Sequence, residues 1–219
     1  MMPFKTHRGL IATLDRANVD TDQIIPKQFL KAIGRTGFGE HVFHDWRYAS
    51  DGTPNPDFEL NALRFRGASI LVTRNNFGCG SSREHAVWAI QQYGVAAVIA
   101  PWQKRGDTIV PAFADIFRTN STKNGLLTVE LAEPEVEEIF QMVARYPGLE
   151  ATVDLEHQRA VLHLPEELAF HFEIDPAIKE HLIHGLDEID LTLQCEDQIA
   201  NFERRHDPQW LNFRREQRR

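Results

Sequence analysis

Residues 69–100, SILVTRNNFGCGSSREHAVWAIQQYGVAAVIA, decide how this chain folds. Ser69–Thr73 is a short apolar run with a β-branched bias, expected to form a buried strand. Val95–Ala100 is a second run of the same kind. The residues between, from about Ser82 to Tyr93, are expected to be helical. Strand, loop, helix and strand are the ingredients of a βαβ unit. Gly78 and Gly80 stand where strand passes into helix, and glycine there lets the backbone turn sharply and a ligand approach closely.

Outward from this unit the chain keeps alternating. His7–Leu14 reads as an opening strand, Asp15–Asp22 as a turn-rich loop, Gln28–Ile33 as a short helix and Gly34–Gly39 as a glycine-bearing loop. Ser50–Asp57 is a surface loop by its Gly, Pro and Asn content. Downstream, Glu135–Arg145 has the clearest helical pattern: Val136, Ile139, Phe140 and Val143 fall at i, i+3, i+4 and i+7. Pro134 opens that helix and Pro147-Gly148 stops it. Short strands are expected at Ala151–Leu155, Ala160–Leu164 and Phe170–Ile174, and helices near Pro176–His184 and Ile189–Phe202. The pattern predicts an α/β protein with a mixed or mostly parallel sheet flanked by helices.

With 219 residues, 42% of them hydrophobic and 26% charged, the chain can bury a core of its own and disorder is excluded as its main state. No apolar stretch approaches the length of a membrane span, and Met1-Met2-Pro3-Phe4-Lys5 lacks the apolar core of a signal peptide, so a cytoplasmic protein that meets no membrane is expected. Net charge is −8, which argues against a general nucleic-acid binder. The charge is uneven: nineteen of the 32 acids lie between Glu130 and Glu203, and six arginines then crowd Arg204–Arg219. That basic end reads either as a solvated tail or as an arm for an acidic partner. Two cysteines, Cys79 and Cys195, are too few for a disulfide framework, a four-cysteine zinc site or an iron–sulfur cluster held by this chain alone. No cofactor and no metal are expected on it.

The chemistry concentrates in Asn75–His85. The first amides of the helix and its dipole favour an anion, and Ser81, Ser82 and Arg83 add hydroxyl donors and a guanidinium fork suited to a carboxylate or phosphate. The plainer reading competes: Ser81 and Glu84 fit an S-x-x-E capping box, which would make Ser81 a cap and Arg83 a surface residue. The stretch lacks the third glycine of a dinucleotide fingerprint, the G-x-S-x-G of a nucleophile elbow and the G-K-[ST] of a P-loop, so hydrolases and nucleotide binders are disfavoured.

Asn76-Phe77-Gly78-Cys79-Gly80-Ser81-Ser82-Arg83-Glu84-His85-Ala86 resembles the signature of the 3-isopropylmalate dehydratase small-subunit family, the swivelling domain of the aconitase superfamily. The resemblance extends to Asp20-Thr21-Asp22-Gln23-Ile24-Ile25-Pro26-Lys27-Gln28-Phe29-Leu30, Thr36-Gly37-Phe38-Gly39, Asp45-Trp46-Arg47, Phe113-Ala114-Asp115-Ile116-Phe117, Asn124-Gly125-Leu126-Leu127 and Gly185-Leu186-Asp187 with Leu191-Thr192-Leu193. It implies a single swivelling-type β/β/α domain over residues 1–205, with a loop insertion at 101–110 and an Arg-rich tail at 206–219.

The resemblance also implies a hydro-lyase that interconverts 2- and 3-isopropylmalate through 2-isopropylmaleate in leucine biosynthesis. Ser81 then occupies the position of the base, Asp22 supports the active site, and Ser82 and Arg83 bind a carboxylate of the small dicarboxylate substrate. Phe29, Leu30 and Lys31 fall in the loop that selects the substrate's γ-group, although ordinary packing would also account for Phe29 and Leu30. A 4Fe–4S cluster and its cysteines are expected on a partner large subunit, leaving this chain inactive alone. Cys79 reads as a packing or turn residue. Lys31 and Arg35 are candidates for a second carboxylate-binding cation. Two other functions stay open: a subunit for citramalate or homocitrate, and a non-catalytic subunit that binds through the 101–110 loop and the basic tail.

Overall fold

A computed structural model describes residues 1–31 and 34–205. The larger of two units, Met1–Gly185, is built on a mixed sheet. In chain order it contains β1 (Thr6–Leu14), α1 (Thr21–Ile24), a 3-10 turn at Lys27–Lys31, α2 (His44–Arg47), β2 (Ile70–Thr73), α3 (Glu84–Tyr93), β3 (Ala97–Arg105) and β4 (Thr108–Val110). Next come α4 (Asp115–Asn124), β5 (Leu127–Ala132), α5 (Glu133–Arg145), β6 (Glu150–Asp154), β7 (Arg159–Leu162), β8 (Leu168–His171) and α6 (Pro176–His184). The second unit, from Leu186, contains α7 (Glu188–Leu193) and α8 (Glu196–Arg205).

The strands run β4-β3-β2-β1-β6-β7-β8, and β5 pairs with β3. β1, β2, β3 and β5 are parallel, with Ile11 opposite Ile70, Ile70 opposite Ala97 and Ala97 opposite Leu127. β6, β7 and β8 form an antiparallel meander attached to the far edge of β1. All four residues of β2 are buried, as suits an inner strand of a parallel sheet covered on both faces. The βαβ unit expected from 69–100 is present, since β2 and β3 are parallel and joined through α3.

α5 lies over β1, β2, β3 and β5. It buries Val136, Ile139 and Val143 at helical spacing, each worth roughly 1.5–3 kcal/mol of apolar burial. Glu135 holds its first turn by accepting the Ala132 amide at 2.8 Å. β5 alternates buried Leu127, Val129 and Leu131 with half-buried Thr128 and Glu130.

Several expected boundaries move. In place of the short helix expected at Gln28–Ile33, the described part is the tighter 3-10 turn at Lys27–Lys31. The single helix expected at 189–202 is two helices, α7 and α8, which break at Gln194–Cys195; Asp187 caps α7 by accepting the amides of Ile189 and Asp190. Residues 101–110 are not an open loop. β3 runs on through Trp102 and Gln103 and turns back into β4, with Gln103 opposite Val110 and Arg105 opposite Thr108. Gln103 roots this hairpin by donating to Glu133 at 2.6 Å, while Lys104–Ile109 are exposed. The Arg-rich stretch from residue 206 onward lies outside the described residues.

Candidate active site

Parallel strands send their C-terminal ends to one edge of a sheet, and ligands of open α/β folds bind beyond that edge. Here β1 and β2 deliver two loops there, 15–20 and 74–83, which are sewn together. The amides of Gly78 and Cys79 donate to the Val19 carbonyl at 2.7 and 3.2 Å, and Asn18 donates to the Asn75 carbonyl at 3.0 Å. The Thr21 amide donates to the Cys79 carbonyl at 2.9 Å, and the buried Thr21 hydroxyl donates to the Ser81 carbonyl at 2.9 Å. On the other side, Asn76 and Phe77 donate to the carbonyls of Pro111 and Ala112, both at 2.9 Å.

Glycine is required twice in this loop. Gly78 has φ +75° and Gly80 φ +88°, backbone that L side chains rarely adopt. A Cβ on Gly78 would also run into the ring of Phe117. Beneath it Phe77, Phe113 and Phe117 form a buried floor, with Phe77 edge-on to the other two at 6.4 and 5.3 Å between centroids. Edge-to-face rings of this kind add to the burial they provide and fix the loop above them.

α3 begins at Glu84, two residues later than expected, and the Ser81–Glu84 capping box is not formed. Arg83 takes the N-cap place in an extended conformation, without a side-chain cap. The reason is a longer-range interaction: the Glu84 carboxylate accepts from Asn124 at 2.9 Å. Asn124 also accepts from the Trp88 indole at 2.8 Å and, through its carbonyl, from Gln91 at 2.8 Å. Ser81 and Ser82 are thereby left exposed just ahead of the helix. The first amides of a helix and its dipole favour negative charge at that end.

Asp22 and Arg83 meet across the two loops. Asp22 Oδ1 and Arg83 Nη1 face each other as an ion pair from which solvent is excluded, and Arg83 is only 14% exposed. The other carboxylate oxygen of Asp22 lies 3.4 Å from Lys27 Nζ. Asp20 caps α1 by accepting the Gln23 amide at 2.8 Å. Burial, together with the Asp20 carboxylate, pushes the Cys79 thiol up, which makes it a poor nucleophile at neutral pH.

The structure therefore gathers Ser81, Ser82, Arg83 and Asp22. Phe29 and Leu30 sit in the next 3-10 turn, half-buried against the core, and the Phe29 ring stacks on His41 at 3.9 Å. The side chain of Lys31 lies outside the described residues. Arg35 sets its guanidinium over the Trp88 ring at 5.3 Å. Sequence reasoning missed Thr21 and Lys27; their signal was proximity to Asp22 within one short turn. Among the described residues no group of three or more His, Cys, Asp or Glu side chains is arranged to hold a metal ion. The two cysteines, Cys79 and Cys195, are fewer than the three or four thiolates that usually hold an iron–sulfur cluster. No helix among the described residues is long and apolar enough to cross a membrane.

Comparison with known proteins agrees with this architecture. The family model of the aconitase C-terminal domain matches residues 1–134, and the model of the C-terminal domain of 3-isopropylmalate dehydratase small subunits matches residues 188–211. The chain is 58% identical to the 3-isopropylmalate dehydratase small subunit of Desulforapulum autotrophicum, over 98% of this chain and all of that one. It is 54% identical to the protein of the same name from Rhodopirellula baltica, over 93% and 98% of the two chains, and 54% identical to that from Geobacillus kaustophilus, over 95% and 99%. The fold is similar to the crystal structure of a 3-isopropylmalate dehydratase from Methanocaldococcus jannaschii, at a TM-score of 0.59 and 23% identity over 90% of this chain and 99% of that one. The chain belongs to the family of 3-isopropylmalate dehydratase small subunits, hydro-lyase components built on the aconitase C-terminal fold.

Proposed function

We propose that this chain is the small subunit of an isopropylmalate isomerase of leucine biosynthesis, and that its residues 1–205 act as the swivelling domain, with 206–219 as an appended tail. It completes an active site shared with a large subunit that carries a 4Fe–4S cluster. Ser81 is the base that removes the proton beside a carboxylate of 2- or 3-isopropylmalate while the hydroxyl on the adjacent carbon leaves as water, giving 2-isopropylmaleate; in the reverse direction water adds to the alkene and Ser81 returns the proton. Ser82 and Arg83 bind that carboxylate, and Asp22 holds Arg83 in place. Phe29, Leu30 and Lys31 border the isopropyl group. The complex works in the cytoplasm.

One observation carries the reading. Two exposed serines stand at the start of a ten-residue helix, on a loop fixed from both sides, with a guanidinium anchored by a carboxylate beside them. A serine hydroxyl is a weak base. The amides of the helix terminus and the nearby cations supply the sign of field that favours its alkoxide. The carbonyl of Ser81, tied by Thr21, fixes the backbone from which the hydroxyl projects.

The test combines this chain, under anaerobic conditions, with a cluster-loaded large subunit and follows alkene absorbance from 3-isopropylmalate. Turnover is expected in the mixture and in neither chain alone. Ser81→Ala is expected to lower kcat by at least a hundredfold, the scale of a positioned base, with complex formation intact. Undiminished turnover by Ser81→Ala would remove the base assignment. A stable complex inert toward isopropylmalate would overturn the substrate.

A further inference from the structure

The carboxylate of Asp22 is held by two cations, one on each oxygen: Arg83 on Oδ1 and Lys27 on Oδ2. The two differ sharply in access. The Arg83 side chain is 14% exposed and its Nη1 is closed off behind Asp22, whereas the Lys27 side chain is 72% exposed. The other acids nearby are turned elsewhere. Asp20 accepts the Gln23 amide within the first turn of α1, and Glu84 accepts from Asn124. One carboxylate therefore faces two cations, and the excess positive charge sits on the solvent side, at Lys27 Nζ.

We infer that Lys27 is a substrate-binding residue that receives one carboxylate of a dicarboxylate while Ser82 and Arg83 receive the other. The inference rests on the proposed function for its substrate and adds to it the second anion-binding group. Lys27 and Arg83 contact opposite oxygens of a single carboxylate, which keeps their nitrogens within about 8 Å of each other. Two carboxylates on adjacent carbons span that gap. A lysine suits the outer position because its ammonium is a compact charge with freely rotating donors on a long stem. An exposed pair such as Lys27–Asp22 contributes little to stability, so exchanging Asp22 for an incoming carboxylate costs little.

The assay uses the complex of this chain with its large subunit, comparing the unmodified chain, Lys27→Gln and Lys27→Arg. For Lys27→Gln, KM for 3-isopropylmalate is expected to rise at least tenfold with kcat within about threefold. Lys27→Arg is expected to restore KM to within about threefold. Inhibition by succinate should weaken tenfold in Lys27→Gln, while inhibition by butyrate, which has one carboxylate, should stay unchanged. A structural role for Lys27 would weaken both inhibitors alike. That outcome, or a normal KM in an active Lys27→Gln enzyme, would overturn the assignment of Lys27 alone. Lack of turnover by the unmodified chain would instead overturn the proposed function, and the dicarboxylate assignment with it.

Discussion

β1, β2, β3 and β5 run parallel, while β6, β7 and β8 fold back on one another, and the two halves of the sheet use their connections differently. In the parallel half, each crossover returns the chain to the same edge, so loops distant in sequence meet: Val19 with Gly78, Thr21 with Ser81, Pro111 with Asn76. In the meander, short turns join neighbours. One of its polar clusters is drawn from a single turn, with Asp154 accepting from the His157 amide at 3.0 Å and from its ring at 2.8 Å, and another joins neighbours, Thr152 with His163 at 2.8 Å. Groups far apart in sequence converge on one point at the edge of the first half. The meander extends the core and closes the sheet.

The severest way to break the contrast is to strain the site loop. Gly78→Val places a β-branched residue at φ +75° against Phe117. It is expected to cost about 3 kcal/mol or more of stability. Activity with the large subunit should be lost even at temperatures where the variant stays folded, as circular dichroism and turnover measured side by side will show.

A milder substitution in the other half sharpens it. Val153 in β6 is fully buried. Val153→Ala should cost roughly 2 kcal/mol in denaturant unfolding yet leave kcat per folded molecule unchanged. A fall in kcat would mean that the meander is coupled to the site after all.

The smallest effect is a matter of pH. Burial would raise the Asp154 carboxyl, but the amide and ring of His157 and the charge of Arg159 outweigh it and hold it below the ordinary carboxylate value. A depressed folded-state pKa contributes stability that is complete above the unfolded value, near 3.9. That stability is lost as pH falls through the lower folded value. Asp154→Asn should therefore flatten the acid limb of the stability profile and leave the curve at neutral pH parallel to the original. Titration of thermal midpoints between pH 2 and 7 checks this.

The two halves are also unequally legible in the sequence. Strands β6 to β8 show as short apolar segments separated by turns, within a few residues of their true ends. The βαβ unit and the turn at Gly78 and Gly80 are legible because β-branched runs and glycine act locally. α4 is not: Asp115–Asn124 is rich in Thr, Ser and Asn, poor helix formers, and it is held by burial of Phe117 and Ser121 and by the Gly125 cap. β5 escapes the sequence reading although Leu127, Val129 and Leu131 alternate with Thr128 and Glu130. The true start of α3 cannot be read from the S-x-x-E pattern, because Asn124, forty residues downstream, takes the Glu84 carboxylate. Within the candidate site, Ser81, Ser82 and Arg83 stand out by local chemistry. The pairing of Asp22 with Arg83 is a product of chain crossing, which one stretch of sequence does not display, whereas Lys27 lies in the same stretch as Asp22.

The hairpin that carries β3 into β4 ends in the exposed turn at Gly106–Asp107. A chain opened there would have two new ends, each already anchored. The first fragment keeps Asp22, Lys27, Ser81, Ser82 and Arg83, with Ala97–Ile99 laddered to β2. The second keeps Pro111 and Ala112, whose carbonyls hold Asn76 and Phe77, together with Phe113 and Phe117 of the aromatic floor. Exposed tips of this kind are where chains accept cuts and insertions. The protein thus contains a seam along which it can be divided into two pieces that each retain half of the support for the same serine.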